Sequence, residues 1–245
     1  RDRVGVKPLF YWIGTDQLLF GSEIRALLAH PASPRSIDRV GIGQYLTTGY
    51  TLGETTALSG VKQLLPGHIL SIGADGSTRT SCYWSLSDYG RTQGAQSLPL
   101  DELAEELHQL VKSAFAYRLV SDVPVASFLS GGIDSSLVAA VVSKSLGRDI
   151  TNISIGFGEE AFDEVPKARV VAKALDLPHE VRYVDPSTAE SGLQQFVEVY
   201  DQPFGDTSGI PTALLCQVAS ERVKVALSAD GGDEQFYGYE SYARY

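Results

Sequence analysis

Ser130-Gly131-Gly132-Ile133-Asp134-Ser135-Ser136 places three hydroxyls, two glycines and a carboxylate between an apolar run, Val123 to Leu129, and a helix-patterned run, Ser135 to Leu146. A buried strand, a glycine turn and a helix start make an anion cradle. The glycines reach backbone angles closed to other residues, and the first N–H groups of the helix point unpaired at whatever lies before them. Asp134 would repel a bare polyphosphate, so its position makes sense when a divalent cation lies between carboxylate and phosphate oxygens. The string therefore predicts a magnesium-nucleotide site. A bare S-G-G would be read equally well as a capped turn; the whole string behind a strand is rarer. Ser228-Ala229-Asp230-Gly231-Gly232-Asp233-Glu234 repeats the logic after Val223 to Leu227. Alone it could be an acidic surface turn, but paired with the first loop it predicts a clamp on a metal-polyphosphate. No G-x-x-x-x-G-K-[ST] loop occurs.

Two such loops cooperate only if their strands share one sheet edge. From Asp101 the pattern supplies that sheet. Leu103, Leu107, Leu110, Val111, Ala114 and Phe115 recur at helical spacing, predicting an amphipathic helix over Asp101 to Leu119. Strand candidates Val123 to Leu129, Thr151 to Phe157, Glu180 to Val184 and Val223 to Leu227 then alternate with helix candidates Ser135 to Leu146, Asp163 to Leu175, Thr188 to Tyr200 and Thr212 to Arg222. That alternation predicts an α/β fold with a doubly wound parallel sheet, whose ligands sit outside the carboxyl ends of the strands. Residues 1–84 read differently. Short strands at Leu9 to Ile13, Leu18 to Phe20, Ile69 to Ile72 and Thr78 to Trp84 are interrupted by helical stretches at Glu23 to His30 and Asp38 to Leu46. A serine-, glycine- and glutamine-rich stretch follows, giving a division into 1–84, a linker at 85–100, and 101–245.

The bulk numbers exclude several classes. With 245 residues and 43% apolar composition the chain can bury a core, and a net charge of −10 argues against binding nucleic acid or an anionic membrane. No apolar run approaches the roughly 18 residues of a membrane span. Cys82 and Cys216 are too far apart in sequence to suggest a disulfide framework or a zinc site. A cytoplasmic protein acting on small molecules is the expectation. The chain contains no methionine, starts Arg1-Asp2-Arg3 and stops at Tyr245 within an aromatic run expected to be helical, which predicts a fragment truncated at both ends.

The first loop resembles the pyrophosphate loop S-G-G-x-D-S of the N-type ATP pyrophosphatases. Ser228 to Tyr239 resembles the S-G-D-G-G-D-E-x-F-x-G-Y segment of glutamine-hydrolysing asparagine synthetases, with Ala229 where that pattern has glycine. Arg1 to Leu9 is similar to the family's R-D-x-x-G-x-K-P-L, and Ser22 to Leu27 to its S-E-x-K-A-L. Leu65-Pro66-Gly67-His68, Ser121-Asp122-Val123-Pro124 and Asp201-Gln202-Pro203-Phe204 follow in the family's order.

The resemblance implies an ATP-binding synthetase domain from residue 101, preceded by the β-rich tail of an N-terminal-nucleophile glutaminase domain. It implies ATP and Mg2+ as cofactors, with aspartate and glutamine-derived ammonia as the other small-molecule partners; a homodimer at full length is carried with it. Ser130, Gly131, Gly132, Ser135 and Ser136 would hold phosphates, and Asp134 and Asp233 would hold magnesium. Phe128, Ile155, Ser228 and Ala229 would line the nucleotide pocket. Asp230 would meet the ammonia or the intermediate as a proton acceptor. The family's glutaminase nucleophile is an N-terminal cysteine, which neither Cys82 nor Cys216 can supply. A related ligase that amidates another carboxylate, of cell-envelope or β-lactam type, would share the phosphate loop. A nucleotide-binding remnant without catalysis is the other alternative, motivated by Ala229 and Tyr237. The sequon Asn152-Ile153-Ser154 falls in an expected core strand and is set aside. The same holds for the aromatic group Phe236, Tyr237, Tyr239, Tyr242 and Tyr245, read as helix packing.

Overall fold

A computed structural model describes residues 1–89, 99–157, 163–184, 193, 196–239 and 241–242. Most of the linker, most of the helix expected at Thr188 to Tyr200, and Tyr245 lie outside the described residues. The chain forms two compact units: Arg1–Gln96 together with Phe196–Ser208, and Ser97–Gln195 together with Gly209–Tyr245.

In the first unit, β1 (Phe10–Ile13) pairs antiparallel with β2 (Leu18–Gly21) and with the short β3 (Lys62–Gln63), giving the order β2-β1-β3. Phe10 and Trp12 point to one side of β1, where Phe10 joins Ile24, Leu27 and Val61 in the core. Ile24 and Leu27 come from α1 (Ile24–Leu28), shorter than the Glu23 to His30 expected. Helix α2 (Arg39–Thr48) starts where the Asp38 carboxylate accepts the Val40 and Gly41 amides at 2.8 and 2.9 Å. A hairpin of β4 (His68–Ile72) and β5 (Thr78–Cys82) completes the unit's sheets. The Arg1 and Asp2 side chains of the first motif serve as staples. Arg1 donates to the Leu64 and Gly5 carbonyls at 2.9 Å each, and Asp2 accepts the Val6 and Lys7 amides.

Residues Phe196–Ser208 belong to this unit through specific bonds. Asp201 accepts from Arg25 Nε at 2.7 Å, Gln202 Oε1 accepts the Ala57 amide at 3.1 Å, and the Gly205 amide donates to Gly49 O at 2.8 Å. Tyr200 and Phe204 stack at 4.5 Å.

The second unit opens with α3 (Leu100–Arg118). Its sheet contains β6 (Val125–Phe128), β7 (Thr151–Gly156), β8 (His179–Tyr183) and β9 (Val225–Leu227), every neighbouring pair parallel, in the order β8-β7-β6-β9. Three strands march one way, and then the chain returns to set β9 on the other side of β6. The connecting helices are α4 (Ile133–Ala140), α5 (Val165–Leu175) and α6 (Gly209–Ser220), and a short α7 (Gly232–Phe236) follows β9. Alternation along β6 shows both faces covered, as a parallel sheet requires. Ala126 and Phe128 pack with Ile153 and Ala219 of α6, while Val125 joins Val138, Val142 and Leu227, and Leu129 joins Ala139, Ala168 and Ala172. The sheet is doubly wound, as the α/β pattern predicts.

Helix α4 differs from expectation at both ends. It begins at Ile133, because Gly132 already caps it in an extended conformation. Beyond Ala140 it widens into a π-turn over Val141–Ser145, with the Leu146 amide bonded to the Val141 carbonyl at 3.0 Å. Ser143, whose hydroxyl bonds back to Ala139 O at 2.8 Å, favours such a distortion. The apolar stripe of α3 is only partly covered: Leu107 is 41% and Leu110 63% exposed. The aromatic group does not pack as a helix face. Tyr237 ends α7 after five residues, and Tyr237 and Tyr239 instead meet Tyr242 edge-on at 5.5 Å each. Among the described residues no helix is long and apolar enough to cross a membrane.

Candidate active site

The strand order reverses between β6 and β9, so the chain leaves their carboxyl ends on either side of a topological switch point. The first loop leaves β6 and the second leaves β9. All the residues of the two predicted loops therefore stand at one sheet edge.

The first loop is cross-bonded. The Ser130 and Gly132 amides donate to Ser135 Oγ and Ser130 Oγ at 3.2 Å each, and the two hydroxyls lie 2.8 Å apart. Ser135 is buried, with its hydroxyl 3.3 Å from the Gly132 carbonyl. Gly131 has φ +82°, and a Cβ there would come within 2.5 Å of the Lys167 and Ala168 backbone in α5. Only glycine meets both demands. The first turn of α4 then offers the amides of Ile133, Asp134 and Ser135, which no carbonyl inside the helix can accept. Ser136 lies in the same turn, its own amide bonded to Gly132 O at 3.0 Å.

The second loop is held by its own neighbours. The Asp230 amide donates to Ser228 Oγ at 3.1 Å, and Gly231, at φ +94°, leads into α7. Gly232 is where the loops meet: a Cβ there would lie 2.4 Å from Asp134 Oδ2, so the Asp134 carboxylate rests on the second loop's backbone. Asp233 instead abuts Gly238, where a Cβ would lie 1.9 Å from its Oδ1. Ala229 has no positive φ, and its methyl packs with Val138, Val142 and Leu227. Tyr237, by contrast, has φ +57°.

A cavity of about 360 Å³ opens beside this junction. Asp134 and Leu137 line it from α4, Ser228, Ala229, Asp230 and Gly232 from the second loop, and Leu107, Leu110, Phe115 and Arg118 from α3. The predicted residues thus divide. Asp134, Ser228, Ala229 and Asp230 face the cavity; Ser130, Gly131, Gly132, Ser135 and Ser136 form the cradle beside it. Phe128 and Ile155 lie half-buried near the ends of β6 and β7, with Phe128 packed on the α6 side. Sequence reasoning missed Arg118 and the α3 lining. The apolar period of α3 marks its stripe, but nothing local in it points to a cavity.

Asp134 accepts no hydrogen bond and makes no ion pair among the described residues, and neither does the Asp233 carboxylate. Half-buried carboxylate oxygens left in this state suit a hard divalent cation. No group of three or more histidine, cysteine, aspartate or glutamate side chains poised for a metal exists among the described residues. A cation here would take its remaining ligands from substrate phosphates and water.

A parallel sheet with glycine loops on both sides of its switch point defines an α/β unit of the kind that binds ligands at that edge. The asparagine synthase family description matches residues 106–245, and the glutamine amidotransferase domain matches residues 1–84. The chain belongs to the asparagine synthase family. It is 32% identical over 242 residues to asparagine synthetase [glutamine-hydrolyzing] 1 of Bacillus subtilis (strain 168), covering 99% of this chain and 37% of that protein. It is 31% identical to asparagine synthetase [glutamine-hydrolyzing] 3 of the same organism, over 98% of this chain and 40% of that protein. It is also 29% identical to amidase chyE of Penicillium rubens, over 99% of this chain and 38% of that protein. The chain spans less than half the length of these relatives.

Proposed function

We propose that the intact protein is an ATP-dependent amide-forming ligase that converts aspartate, ATP and glutamine or ammonia to asparagine, AMP and pyrophosphate through β-aspartyl-AMP. The observation that carries this reading is the contact of Asp134 with Gly232, which joins a phosphate cradle to an acidic loop across the switch point. In this reading, residues 1–84 are the tail of the glutaminase domain and the second unit is the front of the synthetase domain. The amides of the first turn of α4 and the hydroxyls of Ser130, Ser135 and Ser136 bind the β- and γ-phosphates. Gly131 and Gly132 let those oxygens approach the backbone. Phe128, Ile155, Ser228 and Ala229 border the nucleotide.

Asp134 and Asp233 would hold magnesium, which would neutralise charge on the departing pyrophosphate. The cradle keeps the α-phosphorus facing the cavity. There an aspartate side-chain carboxylate, ionised at neutral pH, attacks it, forming a P–O bond as the bond to the β-phosphate oxygen breaks. Ammonia then adds to the activated carbonyl and AMP leaves. The adding nitrogen must shed a proton, and Asp230, exposed at the cavity rim, accepts it.

The similarity to a protein named an amidase supports a second reading in which another carboxylate is amidated. Incubating the intact protein with ATP, Mg2+ and a panel of carboxylates separates the two. AMP formed only with aspartate supports the first reading, and AMP formed only with another acid supports the second. Formation of ADP would sink both.

A further inference from the structure

We propose that Ser154 and His179 are positioning residues for the phosphate loop, aiming the Leu129–Ser130 peptide from beneath through a hydrogen-bond chain that starts on β8. Both lie outside the loop motifs. The proposal rests on the reading of that loop as an ATP phosphate cradle.

Ser154 is 5% exposed on β7, and its hydroxyl bonds the carbonyl of Leu129, the last residue before the loop. The same hydroxyl lies 2.8 Å from His179 Nε2 on β8. Proton inventory fixes the directions. A carbonyl only accepts, so the one hydroxyl proton of Ser154 goes to Leu129 O, and the Ser154 oxygen must accept from His179 Nε2–H. Burial, with a smaller effect of the Arg169 guanidinium, holds the His179 imidazole below the usual histidine range. The neutral Nε2–H form therefore serves as the donor.

From Leu129 the chain continues through the peptide bond. Its C=O and the following N–H are locked antiparallel in one plane, so fixing the carbonyl also aims the Ser130 amide. That amide donates to Ser135 Oγ at 3.2 Å, and Ser135 Oγ lies 2.8 Å from Ser130 Oγ. One series of bonds thus runs from His179 through Ser154 and the Leu129–Ser130 peptide to the two hydroxyls of the cradle. The neighbouring polar pair, Ser127 and Asn152, forms a closed set by contrast. Ser127 donates to Asn152 Oδ1 at 2.7 Å, and the Asn152 amide reaches the Ile150 and Pro178 carbonyls, none of which is in the loop.

The test uses the intact protein and separates binding of ATP from binding of the carboxylate. Ser154→Ala leaves the Leu129 carbonyl without its partner and should raise KM for ATP about tenfold while KM for the carboxylate stays within about twofold. His179→Gln, which still presents an N–H near the Nε2 position, should keep KM for ATP near the parental value, and His179→Leu should resemble Ser154→Ala. Because the links act in series, Ser154→Ala/His179→Leu should be no worse than Ser154→Ala alone. A parental KM for ATP in Ser154→Ala overturns the proposal. So does a rise in both KM values together with a lowered thermal midpoint, which marks a purely structural role. If Ser154→Ala does not fold, the contrast between His179→Gln and His179→Leu decides it, and equal behaviour of those two overturns it. A parental protein that forms no AMP from ATP overturns the reading of the loop itself, a result distinct from all of these.

Discussion

The two loops at the switch point look alike in sequence and are built differently. In the first, Gly131 is backed by the α5 backbone, and Ser130 and Ser135 are tied to each other and to their own turn. In the second, the bonds of Ser228, Ala229 and Gly231 reach no further than four residues along the chain, and Ser228, Asp230 and Glu234 are exposed. A site that grips a polyphosphate needs fixed donors, because reorienting them during reaction costs energy. The contrast teaches that resemblance of motif is not resemblance of construction: one loop is a mould and the other an acidic segment that leaves Ser228, Asp230 and Glu234 exposed.

The sharpest break would come at the mould. Gly131→Ala adds a methyl at φ +82° against the α5 backbone, and Asp134→Asn removes the charge at the junction. Each should lower AMP formation by roughly two to three decades, the scale of losing a preorganised electrostatic contact. Near-parental turnover in both would put the cradle outside the chemistry. Asp233→Asn should fall in the same range if its carboxylate joins Asp134 in holding a cation; a tenfold or smaller loss, on that same scale, would leave Asp233 out of that role.

Ser135→Ala should come next. Its hydroxyl is buried and meets the Ser130 amide, the Ser130 hydroxyl and the Gly132 carbonyl, so about 1–3 kcal/mol should be lost. ATP titration should show weaker binding, and unchanged affinity would mean the cross-bonds only decorate the loop.

The second loop predicts smaller effects. Tyr237 sits at φ +57°, where a glycine relieves strain, so Tyr237→Gly should stabilise by up to about 1 kcal/mol in thermal melts. A lower melting midpoint would show that the exposed ring contributes more through Tyr242 than its backbone costs. Ala229→Gly should gain nothing in ATP affinity, because Ala229 has an ordinary backbone angle and a packed methyl. It should lose roughly 0.4–1 kcal/mol through the freer unfolded chain. Tighter ATP binding by the glycine variant would reverse that account.

The smallest effect concerns pH. The His179 pKa is lowered by burial and then by Arg169, so the unfolded chain binds its proton more readily than the folded one. The stabilisation is present above the unfolded value of about 6.5 and is lost as pH falls below it toward the lower folded value. His179→Gln should flatten that part of the acid-side stability curve, and an identical slope in both proteins would count against it.

How much was legible in the sequence follows from range. The loops were readable because glycine and carboxylate at fixed offsets after an apolar run act locally, and the alternating pattern gave the parallel sheet. The start of α4 was misplaced by two residues because Gly132 caps it without a side chain. The π-turn at Val141–Ser145 has no simple periodic signature. Ala229 replaces a glycine of the family pattern and Tyr237 falls at an unspecified position in it, and sequence could not say that it is Tyr237 that takes the positive φ. Phe128 was legible as a strand end, but its packing on α6 depends on Ala219, far along the chain. The Ser154 and His179 chain was invisible because its members sit on different strands and meet only through pairing register.

The first unit is assembled from two separate lengths of chain, 1–96 and 196–208. Exchange of modules between genes usually needs a single seam, and the serine- and glycine-rich linker offers one. A crossover there would transplant Arg25 and Gly49 while leaving behind Asp201 and Gly205, the groups they bond. The newcomer would meet another lineage's residues at each of those bonds. The two family-matched portions of the chain should therefore exchange poorly one at a time, and substitutions at Arg25 and Asp201 should track one another even though 176 positions separate them.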